Sequence, residues 1–178
     1  MPGTAIGLSL NLGYAGSFSR SVDNITTPRI VKSVVTNGVE TEPSILFGEP
    51  VVLNTDNTYS RFGATGTAAT FAGIAVREVK QASDYYTAAG SYHPNEVCDV
   101  LERGSITVKC NAGTPTAGGK VYVRIAANST AAPNGVVGQF EAAADSTNTV
   151  EITNARWKTG KIDANGIAEL TILNRVNP

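Results

Sequence analysis

The stretch from Asn95 to Asn128, NEVCDVLERGSITVKCNAGTPTAGGKVYVRIAAN, constrains the fold more than any other part of the chain. In SITVKC, Ile106, Val108 and Cys110 alternate with Ser105, Thr107 and Lys109. A period of two puts the first set on one face of a strand and the second on the other. KVYVRIA repeats the pattern, with Val121, Val123 and Ile125 set against Tyr122 and Arg124. The link NAGTPTAGG holds three glycines and a proline, a composition that opposes both helix and central strand. Upstream, EVCDVL is rich in β-formers and runs into ERGS, where Gly104 can supply the positive φ of a tight turn. The stretch predicts three consecutive strands separated by two turns.

The same punctuation recurs along the chain. Asn37-Gly38, between RIVKSVVT and VETEP, is the strongest short-range hairpin signal. SILFGEPVVL reads as strand, broken at Gly48 and Pro50, and a proline there implies an edge or a bend. Asn54 to Thr70 is turn-forming and reads as loop, and FAGIAVREV, Phe71 to Val79, as a further strand. Lys80 to Pro94, KQASDYYTAAGSYHP, has no clean period and reads as a long exposed loop, a kind of segment that often carries function. Beyond residue 128, a turn at Asn134-Gly135 leads to a strand through Val136, Val137 and Phe140, and Ala142 to Asn148 turns again. TVEIT alternates, NARWKTG passes through Trp157 into another turn, and DANG (Asp163 to Gly166) introduces the last strand, IAELTIL. That strand is largely apolar on both faces, which places it inside the sheet system. Strands every ten or so residues with turns between them indicate an all-β sandwich or barrel, and the spacing excludes a doubly wound α/β fold.

Residues 1–28 read as an N-terminal arm and 29–178 as one β-domain. The arm holds a single alternating run, Ile6, Leu8, Leu10 and Leu12, followed by a glycine- and serine-rich passage that includes Tyr14. Such a segment can dock on its own body or on a neighbour. Its start lacks the basic region and unbroken apolar core of a signal peptide, and no apolar run reaches the ~20 residues of a membrane span. Cys98 and Cys110 can face each other across the expected hairpin, but two thiols without a secretion signal suit reduced core residues better.

Charge argues against nucleic acid as a partner. The formal net charge is −1 and the basic residues are dispersed, so no stripe can neutralise a row of phosphates. Charged residues make up 16% of the chain, below the usual ~25%, which favours a β-protein rich in self- or partner-contact.

Catalytic and metal constellations do not assemble. His93 is the single histidine, and no G-x-S-x-G supplies it with a nucleophile. Two cysteines and one distant histidine do not make a zinc site. Asp99, Glu102 and Glu151 are candidates for a carboxylate pair, but a strand-end position explains the first two as solvated surface. Asp56 sits in an oxygen-rich loop without the Asp-x-Asp pattern of a calcium site. The glycines before Lys120 form a hairpin turn with no helix behind it to hold phosphate. The chain therefore reads as a non-enzyme without a cofactor. Tyr85, Tyr86 and Tyr92 admit two readings, an interface cluster or cover over a sheet edge. Trp157 suits the core better than a sugar platform.

An ordered string of structural phrases carries a resemblance. FAGIAVREVKQ, DYY, VCDVLERGSITVK, GGKVYVRI, VVGQFEAAADSTNTVEI and NARWKTGKIDANGIAEL, from Phe71 to Leu173, resemble the cement (decoration) proteins of tailed-bacteriophage capsids. The resemblance implies a jelly-roll-like antiparallel β-sandwich bound to the outside of the mature, expanded capsid. It also implies a homo-oligomer, dimer or trimer, that bridges major capsid protein subunits in a virion assembled in the host cytoplasm, with neither nucleic acid nor membrane as partner. Ile6, Leu8, Leu10, Leu12, Tyr14, Tyr85, Tyr86, Tyr92 and His93 are the candidate capsid or oligomer contacts. A receptor- or carbohydrate-binding β-domain of a phage tail or fibre is the alternative, and an enzyme on a β-scaffold a third.

Overall fold

A computed structural model describes residues 11–20, 23–78, 90–128 and 135–175. Among these residues thirteen strands run in chain order: β1 (Ile25–Ile30), β2 (Val35–Thr36), β3 (Val39–Glu40), β4 (Ile45–Leu46), β5 (Pro50–Leu53), β6 (Tyr59–Arg61), β7 (Phe71–Ala75), β8 (Ser91–Tyr92), β9 (Val97–Ala112), β10 (Lys120–Arg124), β11 (Phe140–Glu141), β12 (Thr149–Ile162) and β13 (Ile167–Ile172). Among the described residues the only helical element is a 3₁₀ turn at Ser146–Asn148. The all-β class expected from the turn spacing is the class observed.

Strand β9 organises the molecule. Its second half pairs with β13, and the ring continues β13–β12–β10–β11 before β11 returns to β9 in a parallel pairing. Its first half lies between β1 and β7, which lead through β5 to β6. Val31, just past β1, bridges Tyr59 of β6 and closes this second ring. The sheet is thus rolled and barrel-like, antiparallel except at β11–β9 and that bridge. Closure leaves few free edges for unwanted pairing.

Two expectations give way here. The turn expected at Gly104 is the middle of one 16-residue strand, well beyond the usual 3–10 residues. Gly104 does take a positive φ, +123°, but next to a bulge within the strand. Ile25 pairs with Arg103 while Thr26 pairs with Leu101, so β9 carries one residue more than β1 at this point. An extra residue inverts the alternation of side chains. Before the bulge, Cys98 and Val100 enter one core; after it, Ile106, Val108 and Cys110 enter the other. The turn expected after Trp157 is likewise the interior of β12, a 14-residue strand. Two steps along β10, Lys120 to Tyr122, span five along β12, Arg156 to Glu151. The phase flips there as well, from Val150 and Ile152 to Ala155 and Trp157. The long strand also disposes of the hairpin disulfide: Cys98 and Cys110 are free, buried, and roughly 30–40 Å apart along one strand, far outside bonding range.

Two apolar clusters result. The larger gathers Ile106, Val108, Val121, Val123, Phe140, Ile152, Trp157, Leu170 and Ile172 with Phe62, Phe71 and Ile74. The smaller packs Val51, Ala75, Cys98 and Val100 under Ile45, Phe47, Tyr59 and Tyr92. Asn37 (φ +52°) and Gly38 (φ +79°) form the turn of the β2–β3 hairpin, as Asn-Gly predicts. Asp163–Gly166 turns into β13, which lies between β12 and β9. Within the 54–70 segment expected as loop, Tyr59–Arg61 forms β6.

Candidate interaction surface

Residues 11–20 form a strap along the second half of β9, continuing the line that β1 follows along the first. Ser19 N–H donates to Ser105 O (2.9 Å), Thr107 N–H to Ser17 O (2.9 Å) and Gly16 N–H to Thr107 O (2.7 Å). The Thr107 hydroxyl donates to Tyr14 O at 2.6 Å, and Leu12 N–H to an Asp163 carboxylate oxygen at 3.1 Å. On the outer face of β13, the buried carboxylate of Glu169 accepts from the Ser19 hydroxyl and pairs with Arg20 at 3.3 Å. Gly16 is the tight point. Its φ is +83°, and a Cβ there would lie 2.9 Å from the backbone nitrogens of both Arg77 and Gly48. The described part of the arm thus docks on its own body, and β1 runs through residue 28 to join arm and body as one strand. Ile6, Leu8 and Leu10 lie outside the described residues.

With its backbone pinned, the strap turns Tyr14 outward, 69% exposed, and leaves Leu12 half-buried. The Arg77 guanidinium lies 4.5 Å from the centre of the Tyr14 ring and 5.8 Å from that of Phe47. These groups form one side of a cleft of about 330 Å³ between the strap, the β4–β5 turn and residues 138–140. Its wall is apolar, from Leu46, Phe47, Pro50 and Phe140, and Lys109 stands at its rim. Glu49 lies in the same wall but is already engaged, by Arg61 Nη2 at 2.8 Å and Leu46 N–H at 3.0 Å. Burial nevertheless pushes the Glu49 pKa up, since desolvation outweighs those hydrogen bonds and the Arg61 charge.

The other expected contacts separate. Tyr92 is fully buried in β8. Its ring meets Phe47 edge-on at 5.2 Å, its hydroxyl donates to Val76 O at 2.6 Å, and burial raises its pKa. His93 is exposed, with Nδ1 2.9 Å from the Ser44 hydroxyl. Glu96, the nearby carboxylate, accepts from the backbone N–H of His93 at 2.6 Å. Tyr85 and Tyr86 lie outside the described residues. Among the described residues, no group of three metal-ligating side chains converges.

Two features escaped the sequence reading. Val35 and Val39, 63% and 64% exposed on the β2–β3 hairpin, follow the exposed cross-strand pair Ile30–Val97. Their Asn-Gly turn was legible, but not their exposure. The second feature is interior. Arg124, on the polar face of KVYVRIA, is buried and grips both oxygens of Glu141 at 2.5 and 2.9 Å. It also donates to Asp145 at 2.8 Å. Hydrogen bonds from Asn128 and then Arg124 hold the Asp145 pKa below the usual carboxylate range.

Closed β-rings carrying a strap with an outward tyrosine define an all-β protein. Comparison with known proteins puts that class among phage capsid components. The chain belongs to the XM1 gp53 minor capsid protein family, whose model it matches over residues 3–172. A chain of the solved structure described as "The capsid of Myoviridae Phage XM1" shares the fold, with a TM-score of 0.65 over 97% of each chain at 18% identity. No curated protein matches the sequence. The chain is therefore a capsid-associated protein, as the resemblance of its structural phrases implied.

Proposed function

We propose that this protein binds the outer surface of the mature phage capsid and stabilises it by bridging major capsid protein subunits, without catalysis. The observation that carries the reading is the match to a minor capsid protein family across nearly the whole chain. The surface supports it: Tyr14 is held outward on a backbone strap that is itself fixed to β9, so an aromatic contact is presented with little ordering cost. Leu12, Tyr14 and His93 are the described members of the contact set, joined by Ile6, Leu8, Leu10, Tyr85 and Tyr86. Tyr92 supports that surface from inside. A dimer or trimer of the chain would repeat these contacts at neighbouring capsomers.

The mechanism is mass action. A ligand that binds the expanded shell and not its dissociated parts stabilises it by RT ln(1 + [L]/Kd), about 2.7 kcal/mol per site at a hundredfold excess over Kd. Calorimetry of expanded shells with increasing protein tests this. The shell transition is expected to climb with protein concentration; a transition that stays fixed through saturating protein would overturn the proposal.

A further inference from the structure

We infer that the cleft between the strap and the β4–β5 turn is a recognition pocket for an apolar side chain lying next to a carboxylate, supplied by a segment of a capsid-shell subunit. The inference rests on the capsid-binding reading for its partner and on the cleft alone for its chemistry.

Size comes first. At about 330 Å³ the cleft is at the lower end of ligand pockets, which run from roughly 300 to 1,000 Å³. That is room for a large side chain together with part of the residue next to it. The wall selects an apolar one, because Leu46, Phe47, Pro50 and Phe140 offer no donor or acceptor from their side chains. Leu46 is 46% exposed although it stands among buried neighbours, so an occupant would remove apolar surface from water.

Charge comes second. Arg77 and Lys109 are both exposed and both line the cleft. No described carboxylate forms an ion pair with either, while Glu49, the acid in the wall, is taken by Arg61. Arg77 is held in place by the Tyr14 ring, and its fork can meet a carboxylate in two-pronged fashion. A cationic rim over an apolar pocket is complementary to an anionic apolar segment and repels a basic one.

Small probes separate the chemistry from the partner. Backbone amide spectra of the full chain would be titrated with 3-phenylpropionate, with 3-phenylpropionamide and with propionate. The expected result is saturable shifts at Phe47, Gly48 and Gln139 with 3-phenylpropionate, about threefold or more tighter than the amide, and almost none with propionate. In the double variant Arg77→Gln/Lys109→Gln the acid and amide should bind alike. Equal binding by the wild type, or shifts elsewhere on the molecule, would overturn the inference. Sedimentation with expanded shells then tests the partner. If wild type and double variant co-sediment equally, the shell does not use the cleft and the inference fails while the capsid reading stands. If wild type does not sediment although the probes discriminate, the capsid reading fails and takes the shell partner with it.

Discussion

Oδ1 of Asn24 occupies the space beside Gly104 that any other residue would fill: a Cβ there would stand 2.1 Å from it. The same oxygen accepts a hydrogen bond from Ser105 N–H at 3.3 Å, so the residue before β1 packs against β9 just past the bulge that re-phases it. Gly104 also sits at φ +123°, where a side chain is strained regardless of space. Gly104→Ala is expected to cost about 2–4 kcal/mol in a denaturant titration. Adding Asn24→Gly should recover the steric part and leave the backbone strain.

Trp157 is 1% exposed in the larger core, and its indole N–H has no partner among the described residues. Trp157→Ala is expected to lose about 3–5 kcal/mol through cavity formation. Trp157→Phe should cost clearly less, since it keeps an aromatic ring and removes an unsatisfied buried donor. Equal losses would mean that ring packing contributes little here.

Arg124 and Glu141 fail as a pair if one is removed. Arg124→Met leaves the 1%-exposed Glu141 carboxylate uncompensated and should cost about 3 kcal/mol or more. The double change Arg124→Met/Glu141→Leu should restore much of that loss. The readout is the denaturant midpoint of the single and double variants.

Acid should weaken the fold through Asp145. Its folded pKa lies below the ordinary 3.8, so its contribution is complete above that value and fades as pH falls through the lower folded pKa. Asp145→Asn should flatten the stability–pH profile below about pH 4. Glu49 acts in the opposite sense: its folded pKa is raised, so protonation favours the native state as pH falls through it. Glu49→Gln should therefore steepen the acid limb, and stability measured from pH 3 to 7 distinguishes the two.

Neither thiol should react in the native protein. Burial pushes Cys110 up to about 11. Iodoacetamide at pH 8 is expected to label no site when folded and both cysteines in denaturant, with no mass change on reduction. A native disulfide would contradict the single continuous β9.

Much of the fold was legible where local chemistry decides it. Asn37-Gly38, the DANG turn and the alternations in SITVKC and IAELTIL follow from backbone preference and a period of two. The reading failed where the period itself changes. Gly104 and the Lys158–Lys161 stretch break the alternation, and a break looks the same in sequence whether the chain turns back or carries on through an irregularity. Only pairing with β1 and β13 decides between them. The cleft was legible in part: Tyr14 stood in the arm as a candidate, but Arg77, Lys109 and Phe47 come from separate elements that only the strap brings together. Arg124 was placed on the polar face correctly, yet its burial depends on Glu141 of β11 and Asp145 of the loop that follows.

Co-sedimentation tests the central claim most directly. Purified protein would be titrated against expanded shells lacking it and against unexpanded procapsids, counting bound copies per shell. The account predicts saturable binding to the expanded shell at a copy number allowed by icosahedral symmetry, and weak or no binding to the procapsid. Absence of binding to either shell would contradict it.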